Sequence, residues 1–151
     1  MLTIKHLKIA LDEFLSRHWD SPFSSDYDRP QWSALWKGKG ELPNRLSPGC
    51  YALKSDRGIE YIGSGIRRGK HYYSDNGIGG RASTYSRWDR SQNLKDGRRT
   101  YRMIDDWVGI YTVGFPPEVG YLAPALEHFL IVELQPLRNR VRMSGGICTN
   151  K

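Results

Sequence analysis

The run from Gly49 to Gly63 limits the fold more than any other stretch of this chain. Gly49-Cys-Tyr-Ala-Leu-Lys-Ser and Ile59-Glu-Tyr-Ile-Gly flank Asp56-Arg57-Gly58. A glycine in that turn supplies the positive φ that closes it, so the two flanking runs predict an antiparallel hairpin. Apolar periodicity supplies the rest. Ile4, Leu7, Leu11, Phe14 and Leu15 recur at three- and four-residue steps and predict a helix over 3–18. The stretch 19–48 carries Pro22, Pro30, Pro43 and Pro48 around Trp32 and Trp36, so it reads as an irregular segment held by aromatics. Residues 64–80 read as a loop, 81–89 as a short helix, and 100–105 as a second one. The β-branched and aromatic run 107–114 predicts a strand, ended by Pro116-Pro117. Leu122, Leu126, Phe129, Leu130 and Val132 then predict a helix over 121–134, stopped by Pro136. The order helix, strand, strand, helix, helix, strand, helix points to an α/β (α+β) domain. Its small three-stranded sheet, mixed or antiparallel, is flanked by helices, with 1–47 as an N-terminal helical extension and 48–151 as the main domain.

The chain has 151 residues, which suits one domain, and its 38% hydrophobic content sets wholesale disorder aside. No apolar run reaches the roughly 20 residues of a membrane span, and the start has no signal-peptide core, so cytoplasm is the expected compartment. Cys50 and Cys148 lie far apart and carry no metal-ligand spacing. Charge is uneven. Residues 1–48 hold 7 basic and 6 acidic side chains, whereas 67–102 alone hold ten basic against three acidic, a local +7 that equals the net charge of the whole chain. Arg67, Arg68, Lys70, Arg87, Arg90, Arg98 and Arg99 interleave there with Tyr72, Tyr73, Tyr85, Trp88 and Tyr101. Cations mixed with aromatic rings suit a surface that neutralises phosphates and stacks on sugars or bases.

Gly49-Cys50-Tyr51, then nine residues, then Tyr61-Ile62-Gly63 across the hairpin resembles the paired motif of the GIY-YIG nucleases. Arg81 with Tyr85 four residues later, and Glu127 nine before Pro136 and twelve before Asn139, follow in the family's order. The resemblance spans residues 48 to 140. It implies a metal-dependent DNA endonuclease, with Tyr51, Tyr61, Arg81, Tyr85 and Glu127 catalytic, and with Gly49, Gly63 and Asn139 supporting them. The segment between Gly63 and Arg81 is longer than in compact members and adds His71, Tyr72 and Tyr73 beside the expected site. The literal string Gly109-Ile110-Tyr111 is assigned to the core of the third strand.

These residue types suit the reaction. Phosphodiester hydrolysis needs an activated water, charge neutralisation at the phosphoryl oxygens and help for the leaving oxygen. Glu127 is a hard oxygen ligand for Mg²⁺ or Mn²⁺, an ion that accepts one or two carboxylates and completes its shell with waters and phosphate oxygens. Arg81 presents a planar fork to phosphate. Tyr51 and Tyr61 offer hydroxyls to position or deprotonate water. Tyr85 can hydrogen-bond a neighbouring hydroxyl or the phosphate, and Asn139 is read as structural first. Gly63 is expected to let backbone pass close to the site. His128, adjacent to Glu127 on a helix, points elsewhere. DNA is the expected partner, with a homodimer on DNA if both strands are cut. The alternatives are a type II restriction enzyme with a specific site, a repair or mobile-element nicking enzyme, an RNA-processing nuclease, and a non-catalytic nucleic-acid-binding module.

Overall fold

A computed structural model describes residues 1–20, 23–66, 77–92 and 94–139. In chain order the elements are α1 (Ile4–His18), α2 (Phe23–Asp26), β1 (Gly49–Ser55), β2 (Gly58–Gly65), α3 (Ile78–Ala82) running into a 3₁₀ turn (Ser83–Tyr85), β3 (Ser86–Asp89), β4 (Thr100–Met103), β5 (Trp107–Gly114), a 3₁₀ turn (Pro117–Val119) and α4 (Leu122–Leu134). The fold is mixed α and β, with an antiparallel sheet in the order β2-β1-β5 and a separate two-stranded ribbon of β3 and β4.

The predicted hairpin forms as β1 and β2, with Gly58 at φ 110° closing the turn. Side chains alternate along β1 and divide the interior in two. Cys50 and Ala52 face one layer, where Leu7, Leu11, Phe14 and Leu15 of α1 and Leu122, Leu126 and Leu130 of α4 are buried with Ile62, Val113 and Phe115. Tyr51 and Leu53 face the other, with Trp36, Ile78, Ala82, Trp107 and Ile110. The N-terminal helix thus shares one core with α4 and the sheet. Trp32 and Trp36 are buried as anchors of the irregular segment, and Trp36 bridges Ile110 along the free edge of β5. Gly109 and Ile110 are buried within β5, as assigned from sequence, while Tyr111 of the same string is only partly buried. Val132 differs from its predicted core place, being 48% exposed on α4.

Two helix expectations are corrected. Residues 81–89 hold only the last turn of α3 and the 3₁₀ turn before becoming strand β3, and residues 100–105 begin as strand β4. Both stretches are too short to show a period, and Ser83, Thr84 and Ser86 are weak helix formers. Pairing decides the outcome: Trp88 stands opposite Tyr101, and on the far side of β4 the Tyr101 N–H donates to Gly38 O at 2.6 Å while Gly40 N–H donates to Arg99 O at 3.0 Å. A Cβ on Gly38 would lie 1.9 Å from the Tyr101 carbonyl oxygen, so only glycine permits this approach.

Candidate active site

Tyr51 projects from β1 directly opposite Gly63 of β2. A Cβ on Gly63 would meet the Tyr51 ring carbon Cζ and its hydroxyl oxygen at 2.4 Å, so the ring lies across the glycine. Gly63 therefore admits a side chain rather than the backbone expected from sequence. Gly49 has a different reason: a Cβ there would stand 2.0 Å from the Val113 carbonyl oxygen of β5. Laid over Gly63, the Tyr51 ring joins Tyr61 and Tyr85 in a triangle with centroid separations of 6.3, 5.9 and 6.1 Å. Trp107 meets Tyr85 edge-on at 6.3 Å and closes the inner side of the cluster. Rings at these separations add to the burial energy and hold one another's rotamers.

Glu127 reaches the same place from the opposite layer. Cys50, beside Tyr51, points at α4 and donates its thiol hydrogen to Ala123 O at 3.2 Å. Ser64 is the cross-strand partner of Cys50, so it faces α4 as well, and one helical turn beyond Ala123 it meets Glu127. The Ser64 hydroxyl donates to Glu127 Oε2. β2 is an outer strand of the sheet and Gly63 has no side chain, so at this point both faces open into one space. Arg81 comes from the last turn of α3 and Tyr85 from the 3₁₀ turn; although the helix ends between them, both line it. The resulting pocket, about 340 Å³, is lined by Tyr51, Tyr61, Gly63, Ser64, Arg81, Thr84, Tyr85 and Glu127. The five residues expected to be catalytic converge there. Ser64 and Thr84 were missing from the sequence reading. The alternation of β2 against Cys50 was the available signal for Ser64; Thr84 had none.

Burial holds the Tyr51 hydroxyl far above its ordinary range, helped by the neighbouring Tyr85 and Tyr61 hydroxyls, a hydrogen bond with Tyr85 and the Glu127 carboxylate. Tyr51 is a neutral phenol at physiological pH. Burial likewise pushes the Cys50 thiol well up, and Cys50 is inert packing.

Asn139 lies outside the pocket and fixes its frame. Its Oδ1 accepts from the Ile62 N–H at 2.8 Å and its Nδ2 donates to Ile62 O at 2.9 Å. The amide thus satisfies both backbone groups that Ile62 turns away from β1, in the middle of Tyr61-Ile62-Gly63. The preceding residue secures the segment: Arg138 pairs with buried Glu60 at 3.1 Å and with Asp106, and stacks over Trp107 at 4.1 Å.

Arg87 and Arg90 sit on or beside β3, outside the pocket. Arg98 and Arg99 line a different cavity of about 540 Å³ beside Trp36 and Tyr101. His128 is exposed beside Glu127 and does not enter the pocket. Arg67, Arg68, Lys70, His71, Tyr72, Tyr73 and Cys148 lie outside the described residues. Among the described residues no three His, Cys, Asp or Glu side chains gather as a metal cluster, which leaves Glu127 as the pocket's one carboxylate. No helix among them is long and apolar enough to cross a membrane. No family model, curated protein or solved structure matches the chain.

Proposed function

We propose that this protein is a metal-dependent endonuclease of the GIY-YIG type that hydrolyses phosphodiester bonds of DNA. The observation that carries the reading is the convergence of Tyr51, Tyr61, Arg81, Tyr85 and Glu127, from five separate elements, on one small polar pocket. Core packing alone gives no reason for an arginine and a carboxylate to meet beside three tyrosine hydroxyls.

Arg81 is exposed at the pocket mouth and has no ion pair among the described residues, so its guanidinium is free to take two phosphate oxygens and to stabilise charge that develops on them. Tyr51, held neutral by burial and packed against Tyr85, keeps its hydroxyl proton and serves as a hydrogen-bonding group rather than as a base. Tyr61, half-buried, completes the wall against which the attacking water is oriented. Ser64 fixes the rotamer of Glu127 through its hydrogen bond. A Mg²⁺ or Mn²⁺ ion fits this donor set, because the Glu127 carboxylate and the hydroxyls around it are hard oxygen ligands and the pocket leaves room for water and phosphate. When bound, such an ion neutralises phosphoryl charge and lowers the pKa of water.

The test is conversion of supercoiled plasmid with and without Mg²⁺, comparing wild type with Glu127→Ala and Arg81→Ala. The reading expects cutting only with metal and a loss of at least about a hundredfold in each variant, the scale of one lost transition-state contact. Plasmid retardation without cutting, unchanged in Glu127→Ala, would replace the enzyme with a binding module.

A further inference from the structure

The arginines of this chain divide into two populations. Outside 81–102, every described arginine meets a carboxylate within 4 Å. Inside that stretch Arg81, Arg87, Arg90, Arg99 and Arg102 have no such partner among the described residues, and only Arg98 does, with Asp96. Arg81 belongs to the pocket. The other unpaired arginines belong to the β3–β4 ribbon and its tip, which carry six basic side chains against two acidic ones over 86–103.

The outer face of the ribbon is crowded with positive charge. Arg87 stands directly opposite Arg102 in the antiparallel register, where like charges repel. Asp89, the acid on that face, is engaged by the Ser91 N–H at 3.1 Å and the Ser91 hydroxyl at 2.6 Å, and it offsets part of the Arg102 charge without forming an ion pair with it. On the opposite face Tyr101 packs on the body of the protein, its ring centroid 5.7 Å from that of Trp36, whereas its partner Trp88, nearer the tip, stays 40% exposed. The guanidinium of Arg90 lies 4.8 Å and that of Arg99 4.2 Å from the Trp88 ring. Stacking on the indole limits the rotamers of two long cations, so less entropy is lost when they meet an anion. The major groove of B-form DNA, about 12 Å wide, admits a two-stranded ribbon, whereas the deep, narrow major groove of A-form RNA does not.

We infer that the β3–β4 ribbon enters the major groove of B-form DNA beside the cleaved phosphate, with Arg87 and Arg102 on the backbone and Arg90 and Arg99 at the tip. β3 begins at the residue after Tyr85, so the ribbon leads directly out of the pocket wall. Four residues of strand put the tip about 13 Å along the ribbon from that wall. The inference rests on the nuclease reading for its choice of DNA and is tested separately from it.

The experiment is fluorescence anisotropy of the full chain with a labelled DNA duplex of about 20 base pairs, in EDTA, across a salt series. Wild type is compared with R87S/R102S and with R29S, whose arginine is already paired with Asp12. Loss of two phosphate contacts lowers the slope of log K against log salt by about 1.8. The ribbon variant is expected to show that drop and at least tenfold weaker binding, R29S neither, and an RNA duplex of the same sequence should compete poorly. Thermal unfolding of R87S/R102S should be little changed, since both side chains are exposed and neither holds an ion pair among the described residues, which separates lost contact from lost fold. An unchanged slope and affinity, or equal competition by RNA, overturns the ribbon assignment. Ribbon-dependent DNA binding without Mg²⁺-dependent cutting by wild type would instead overturn the nuclease reading and leave the ribbon standing.

Discussion

Replacing Asn139 by alanine tests whether the Tyr61-Ile62-Gly63 segment is held from outside the sheet. Asn139 is 6% exposed and Ile62 fully buried, so the Ile62 N–H and C=O have no ready access to water once the amide is removed. Each buried backbone group left unpaired costs about 1–3 kcal/mol. The pair gives about 2–6 kcal/mol, the lower end applying if a water enters the space of the lost amide. For a chain of this length each kcal/mol lowers Tm by about 2–4 °C, so Asn139→Ala is expected to melt roughly 4–24 °C lower. Urea unfolding followed by circular dichroism measures the energy. Hydrogen exchange at the Ile62 amide measures the cause, because protection there should collapse while amides bonded between β1 and β5 keep theirs relative to global unfolding. A loss under about 0.5 kcal/mol, within the range of ordinary surface substitutions, together with an unaltered Ile62 amide, would refute the clamp.

Gly63→Ala should cost about 1–3 kcal/mol and tilt the Tyr51 ring, because the added methyl cannot coexist with it; an unchanged near-ultraviolet tyrosine signal would contradict that packing. Leu126→Ala, in the fully buried stripe of α4, should destabilise by about 2–5 kcal/mol in urea unfolding, and a loss near zero would mean that α4 does not seat as described. Alkaline stability is the third. Cys50 has a raised folded-state pKa, so its stabilisation is complete below the unfolded value of about 8.5 and is lost as pH rises beyond it, at up to ~1.4 kcal/mol per pH unit; Tyr51 adds a second loss above about 10. Cys50→Ala should move the onset up to the tyrosine range, and a flat wild-type profile from about pH 8 to 9.5 would count against the burial of that thiol.

What could be read from sequence followed from local signals. The β1–β2 hairpin was legible because Gly58 closes a turn between two β-rich runs, and α1 and α4 because a buried stripe repeats over several turns. Glu127 was legible as a helical carboxylate twelve residues before Asn139. The errors fell where local signals are weak. Residues 86–89 and 100–103 are strands because Trp88 and Tyr101 pair and because Gly38 and Gly40 bond along the outer side of β4, partners some 60 residues away that no propensity records. Ser64 became part of the pocket through register: its place opposite Cys50 turns it toward Glu127, and a slip of one residue would turn it to the other face. Asn139 acquired its role because β2 is an outer strand, whose unpaired Ile62 groups need a partner from elsewhere in the chain. Sequence alone determined the chemical inventory and the elements whose periods are local. Tertiary structure decided which of those groups meet, because register, strand order and the open edge of β2 are set by contacts between distant residues.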